Sequence, residues 1–253
     1  MNYINKHISQ VSFVVLLIVW ELCIKAFEVP KYIAPAPSEI IKTLIENFKI
    51  ILIHTSFTLF EAIIGITVAI ILGIFVSIVL FKFATIERIF MPYINILQTI
   101  PAIVIAPLFA MWFGFGLFPK VLLIVIFCSF PIIVSTIASF KQVPSDQVLY
   151  LKTLGANNYQ LFVHLYVPSA AKSIFASIKI STTYAFVNAI FAEYMGAKYG
   201  LGVYLNRAAA SFSTANVFAI IVVIIIVTLG MLKTVALIEK KVIKWSADEL
   251  ITN

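Results

Sequence analysis

Two carboxylates, Glu61 and Glu193, stand in stretches of sequence that are otherwise apolar. An ionisable group at membrane depth is costly, and it usually faces protein or a water-filled cavity. Glu193 therefore has two readings. It is a gate or solute contact at the mouth of a pathway, or a carboxylate held by interface water or by Arg207. Glu61 is either a pathway group or a helix-end carboxylate at the level of the headgroups. Gln98, Thr99, Tyr184 and Asn188 could hydrogen-bond a passing solute without burying a charge, which would suit a neutral heteroaromatic compound. Tyr184 and Asn188 are four residues apart and share a helical face. The plainer reading of all four is a polar contact between packed helices.

Bond-making chemistry has little to work with. A hydrolase at membrane depth would need a Ser–His arrangement or paired aspartates. His7, His54 and His164 lie at span ends or in a loop, and the two aspartates, Asp146 and Asp248, lie outside the apolar runs. Cys23 and Cys128 each sit within an apolar run and offer neither a disulfide framework nor metal-ligand spacing. The chain lacks the Gly-x-x-x-x-Gly-Lys-Ser/Thr phosphate loop. If ATP drives this protein, the energy must arrive through a contact with another subunit. The reading is of a protein without catalytic residues, metal site or cofactor of its own.

The elements that position these groups follow from composition. The 253 residues are 62% hydrophobic and 11% charged, against about 25% charged in a soluble domain. Lipid is the solvent that such a chain fits. The net charge of +7 comes from cations at the ends of apolar runs, which suits lipid headgroups better than nucleic acid. A membrane helix needs about 20 mostly apolar residues. The runs predict six spans: Ile8 to Phe27, Thr55 to Phe81, Pro92 to Phe113, Val121 to Phe140, Ser173 to Met195 and Asn216 to Ile238. The first reads as a retained helix and not a cleaved signal. Glu21 and Lys25 are placed for an i,i+4 pair in it. Pro101, Pro107 and Pro131 predict kinks in the third and fourth spans. Gly65, Gly73, Gly114 and Gly116 suit close helix approach and turns more than binding. The whole chain, 1–253, reads as one all-α transmembrane domain. Of its 18 lysines and arginines, eleven fall on the side of the termini and seven on the other, which predicts cytoplasmic termini.

Two connections are more than loops. Ser38 is placed to cap a helix over Ile40 to Ile53. Ile40, Ile41, Leu44, Ile45 and Phe48 form its apolar face, and an amphipathic helix at the outer interface is expected. The other is Lys141 to Lys172. Val148, Leu149, Leu151 and Leu154 recur there at helical spacing, Gly155 punctuates the chain, and Pro168 closes a second apolar run. A short helix over Asp146 to Asn157 with an exposed apolar face needs a partner.

Leu154-Gly155-Ala156-Asn157-Asn158, followed by Leu165-Tyr166-Val167-Pro168, resembles the cytoplasmic loop of permeases from binding-protein-dependent ABC importers. The likeness extends over roughly residues 30 to 245, and within the family it is nearest the nitrate, sulfonate and taurine branch. Thr58-Leu59-Phe60-Glu61-Ala62, Gln98-Thr99-Ile100-Pro101, Trp112-Phe113-Gly114-Phe115-Gly116, Ala192-Glu193 and Gly200-Leu201-Gly202-Val203-Tyr204 are similar to permeases for thiamine-pyrimidine precursors. This resemblance implies a type I importer fold with a coupling helix that docks into the ATPase subunit. Leu151, Leu154, Gly155, Ala156 and Pro168 would carry that coupling. Gln98, Tyr184, Asn188 and Glu193 would line the pathway. It further implies a permease homodimer, an external solute-binding protein, ATP and Mg held by the partner ATPase, and a place in the bacterial cytoplasmic membrane. Related branches carry sulfonates, taurine, nitrate or riboflavin. The family's usual Glu-Ala-Ala before the glycine is Leu149-Tyr150-Leu151 here, so docking is expected to be more apolar. A secondary transporter is the rival, but internal repeats of the kind many such transporters carry are not evident.

Overall fold

The computed structural model describes residues 2–194 and 196–243, and within its first helix the side chains of residues 2–7, 9 and 10 lie outside that description. Asp248, the end of the fifth span at Met195 and the side chain of His7 therefore fall outside the described residues.

Every regular element among the described residues is a helix, as the run lengths predict. In chain order the helices are α1 (Asn2–Ala26), α2 (Pro37–Glu46), α3 (Phe48–Lys82), α4 (Ala84–Leu97), α5 (Ala102–Phe113) and α6 (Leu117–Lys141). There follow α7 (Ser145–Thr153), α8 (Asn158–Leu161), a π-helical turn over Phe162–Tyr166, α9 (Val167–Glu193), α10 (Leu201–Ala210) and α11 (Thr214–Val242). Among the described residues, four helical runs are long and apolar enough to cross a membrane: Phe48–Lys82, Leu117–Lys141, Asn158–Glu193 and Thr214–Val242. The pair α4 and α5 makes a fifth if counted as one broken span. The expected first span, Ile8 to Phe27, falls on α1, which ends at Ala26 and is not among those runs; there Lys25 pairs with Glu21 at 2.7 Å as the spacing predicts.

The third span is not the single kinked helix expected from Pro92 to Phe113. Its two helices meet at a bend of 100°. Pro101 stands between them with φ −63° and ψ 132°, and its ring disfavours helical geometry in the residue before it. Three other prolines, Pro92, Pro107 and Pro131, sit inside helices that continue through them. The helix before Pro101 already ends at Leu97, where the Thr99 and Ile100 N–H groups donate to the Ile96 and Leu97 carbonyls, and Pro101 starts the next helix.

The amphipathic α2 also differs in detail. Its N-cap is Ala36, with Pro37 in the first turn. Ser38 is already helical; its backbone N–H donates to Glu21 Oε2 (3.0 Å) and its hydroxyl to Glu21 Oε1 (2.7 Å). A carboxylate at a helix N-terminus satisfies an orphan donor and complements the helix dipole, so Glu21 does what Ser38 was expected to do. Asn47 ends α2, and Phe48 belongs to α3. Ile41 and Ile45 remain exposed, as a helix lying at an interface requires.

The described residues fall into two compact units. One comprises those up to Phe57 together with Lys198–Ile226; the other comprises Thr58–Ala197 and those from Val227 onward. In the first, Trp20 packs against Phe218, and Thr214 donates its hydroxyl to the Lys31 carbonyl. His54 Nδ1 lies 2.9 Å from the Gly200 carbonyl oxygen and 3.0 Å from its N–H, and its ring stacks on Tyr204. Gly200 has φ +131°, a conformation open to glycine at little cost.

The second unit is held chiefly by α6 against α9. Cys128 donates its thiol to the Ser181 carbonyl (3.3 Å), and Ser181 returns its hydroxyl to the Cys128 carbonyl (2.8 Å). Ser135 donates to the Ser173 carbonyl further along. Small residues such as Ser177, Ser181, Ala185 and Ala189 are buried on α9, which lets backbones approach where lipid supplies no hydrophobic drive. On α3, a Cβ placed on Gly65 would lie 2.4 Å from Ile124 Cγ2, and one on Gly73 would lie 3.0 Å from Ile132 Cγ2. These glycines are contact points with α6, as expected.

Gly65→Ala should therefore push α3 and α6 apart, at a cost of about 1–3 kcal/mol for overpacking. Thermal unfolding of the purified protein should show a lowered midpoint. Gly230→Ala, where a Cβ would meet nothing within 4 Å, should leave the midpoint unchanged or raise it slightly. Equal midpoints for the two variants would mean that the glycine contact does not limit packing.

Candidate functional site

The stretch between α6 and α9 is built to present one short helix. Pro144 starts it, with φ −61° fixing the entry to α7, and Asp146 lies in the first turn. Gly155 ends it at φ +84°. The Gly155 N–H donates to the Lys152 carbonyl (2.9 Å) and the Ala156 N–H to the Leu151 carbonyl (3.0 Å). This paired pattern is a Schellman stop, which needs a residue in the left-handed region at the position Gly155 holds. Two residues on, Asn157 Oδ1 accepts from the Gln160 N–H (2.9 Å), and Gln160 Oε1 accepts from the Asn157 N–H (2.8 Å). That capping box starts α8 at once. The expected helix over Asp146 to Asn157 thus ends four residues early, because the glycine stops it and the asparagine starts the next.

Pro168 stands in the first turn of α9, but the chain reaches it already helical through α8 and the π turn. Proline cannot donate, and its ring crowds the carbonyl four residues back. The wide turn over Phe162–Tyr166 places that misfit where the ladder has already loosened. The result is a helical run from Asn158 to Glu193. Phe81, Phe140, Phe162 and Tyr166 form a ring cluster at its base, with centroids 5.0 to 6.2 Å apart. Nearby, Lys141 Nζ lies 2.5 Å from Glu87 Oε1. The coupling stretch is therefore seated on the ends of α3 and α6. The sequence carried the rings in plain view, but nothing in their spacing said that they would meet.

The outward side of the stretch exposes large apolar side chains beside the polar Asp146, Gln147 and Lys152. Leu149, Tyr150, Leu154 and Tyr159 are all more than 60% exposed, and Leu151 is half-buried. Ala156 is half-buried as well.

A second polar cluster lies within the bundle. Glu193, at the end of α9, is 0% exposed and accepts a hydrogen bond from Thr58 Oγ1 at 2.6 Å. One turn along α3 from Thr58, Glu61 is 4% exposed, and Lys120 Nζ in the first turn of α6 donates to its Oε1 at 2.6 Å. Glu61 is thus half of a buried ion pair and not a carboxylate solvated at a helix end. Its other oxygen, Oε2, is buried without a hydrogen-bond partner among the described residues. The pairing with Lys120 was missed in the sequence, where 59 residues separate the two.

The four pathway candidates divide. Gln98 and Tyr184 are exposed; Asn188 and Glu193 are buried. Tyr184 and Asn188 share a turn of α9, yet Asn188 turns inward beside the Cys128 thiol. No group of three His, Cys, Asp or Glu that could hold a metal occurs among the described residues.

Comparison with known proteins supplies the remaining observations. Residues 65–244 match the family described as binding-protein-dependent transport system inner membrane component. Over 92% of its length the chain is 31% identical to the formylaminopyrimidine transport permease protein ThiX of Halalkalibacterium halodurans, covering 93% of that protein. It is 27% identical, over 94% of its length and 90% of the relative's, to the riboflavin transport system permease protein RibX of Chloroflexus aurantiacus. Among solved structures, inward-facing MetNI, a methionine ABC transporter, superposes with a TM-score of 0.64 at 16% identity, covering 73% of this chain and 92% of the other.

Proposed function

Since the chain belongs to the binding-protein-dependent transport system inner membrane component family, the membrane permease subunits of ABC importers, we propose that it carries a thiamine pyrimidine precursor inward by alternating access. The observation that supports an external power source is the set of exposed large side chains Leu149 and Tyr150 on α7 and Leu154 at its end, just before the Gly155 stop. An ATPase subunit, which holds ATP and Mg, docks on Leu149, Tyr150, Leu151 and Leu154. Without the usual acidic residue at this place, the contact is made by apolar side chains and its strength should vary little with salt.

The geometry then gives the drive a route. Closure of the ATPase displaces α7. The tight Schellman turn and capping box pass that displacement into the helical run ending at Glu193, which packs along α6. Two copies of the chain related by a two-fold axis would enclose one pathway. An external binding protein delivers the solute, and the termini are cytoplasmic. Gln98 and Tyr184, exposed on this chain, are the first contacts for a neutral heteroaromatic ring. Asn188 and Glu193 become available as the helices part.

The likeness to the formylaminopyrimidine permease favours the pyrimidine; that to the riboflavin permease favours a larger heteroaromatic solute. Radiolabelled uptake by the reconstituted transporter, with its binding protein and ATPase, separates them. Uptake of the aminopyrimidine that excess riboflavin and taurine do not inhibit is the expected result. Uptake of riboflavin or taurine alone would reassign the substrate. ATP-independent uptake driven by an ion gradient would overturn the importer mechanism.

A further inference from the structure

A feature remote from both clusters is an open groove of about 520 Å³ between α9 and α11, lined by Lys179, Ile180, Thr183, Leu232, Lys233 and Ala236. All six residues belong to one compact unit. The walls are mostly hydrocarbon, and the charge is cationic. Lys179 Nζ lies 2.5 Å from Glu239 Oε2, which neutralises one lysine. Lys233 is exposed and forms no ion pair among the described residues. Lys240 and Lys241 follow in the last turn of α11. The groove therefore carries one uncompensated positive charge, with two more nearby along the same helix.

Depth narrows the choice of occupant. Lys179 precedes Glu193 by 14 residues, about 21 Å along a helix. Taking Glu193 as the outer end of the span, a hydrocarbon core about 30 Å thick would end about 9 Å beyond Lys179. Lysine stems bury their methylenes and carry the ammonium toward the headgroups. A soluble anion would leave Ile180, Leu232 and Ala236 uncovered. A neutral lipid would cover them but leave Lys233 without a counter-charge. An acyl chain attached to an anionic head satisfies both, and basic pockets between membrane helices bind such heads.

We propose that this groove binds one anionic phospholipid, its phosphate held by Lys233, and one acyl chain laid along Ile180 and Leu232. The site does not depend on the identity of the transported solute.

The test uses the assembled transporter in vesicles of phosphatidylcholine with one quarter phosphatidylglycerol. After extraction, lipids retained per complex are counted by native mass spectrometry. The wild type should retain phosphatidylglycerol about tenfold over its share of the mixture. Lys233→Gln, which leaves the Lys179–Glu239 pair intact and so preserves folding, should lose most of that preference; Lys233→Arg should keep it. Glycerol phosphate at millimolar concentration should not displace the lipid. Displacement would assign the site to a soluble phosphate and overturn the proposal, as would equal retention of both lipids by wild type and Lys233→Gln. Efficient disulfide cross-linking between two copies through Leu232→Cys would place a second chain in the groove and likewise overturn it.

Discussion

Gly155→Trp is expected to lower solute uptake at least tenfold while the protein folds and reaches the membrane in normal amount. The reasoning begins with the backbone. Gly155 has φ +84°, where an L-residue pays about 1–2 kcal/mol. A Cβ built there meets nothing within 4 Å, so a side chain can leave the backbone there without a clash at its first atom. The added bulk stands instead next in sequence to Leu154, in the segment where the ATPase is proposed to dock. A tenfold loss of docking needs only about 1.4 kcal/mol, less than the cost of forcing a partner away from an apolar face. Gly155→Asn is the control, since asparagine tolerates the left-handed region and adds little bulk; it should retain most uptake. Uptake assayed per amount of protein in the membrane, together with ATPase activity of the complex, decides the matter. Wild-type uptake in Gly155→Trp would remove the docking role from this segment.

What could be read in the sequence was what depends on neighbours along the chain. Run length gave the membrane helices. Spacing gave the Glu21–Lys25 pair, and Gly155 was visible as a punctuation of the coupling stretch, though the helix expected to run on to Asn157 stops at Thr153. What could not be read depends on tertiary partners. Ser38 looked like a cap, yet Glu21, 17 residues earlier, fills that role once α1 and α2 meet. Pro101 and Pro131 have the same local effect on a helix, but only the first lies at a break of 100°; a neighbouring helix, not the proline alone, decides whether freed carbonyls are tolerated. Glu61 and Glu193 were visible as expensive residues. Which group offsets the expense was not visible, because Lys120 and Thr58 reach them only through the packing of α3, α6 and α9.

That packing makes the second large effect. Lys120→Met should destabilise the protein by about 3–5 kcal/mol, the usual cost of removing one partner from a buried ion pair. The penalty comes from the survivor. Glu61 is 4% exposed and Lys120 offers the hydrogen bond to its Oε1 at 2.6 Å; with Oε2 already unpartnered among the described residues, truncation would strip the carboxylate of its counter-charge in a medium that cannot solvate it. Methionine fills the space of the lysine stem, so the loss is electrostatic and not a cavity. Adding Glu61→Gln removes the stranded charge, and the double variant should recover most of the stability, because a buried pair contributes little over neutral side chains of similar volume. The cycle of wild type, two single variants and the double isolates the pair. Thermal unfolding of the reconstituted protein should show a drop on the order of 10 °C for Lys120→Met and a much smaller one for the double variant. If Lys120→Met unfolded with the wild type, the two charges would have to be solvated in the assembled transporter, and the region around Thr58, Glu61 and Glu193 would be an open, hydrated mouth instead of a closed seam between helices.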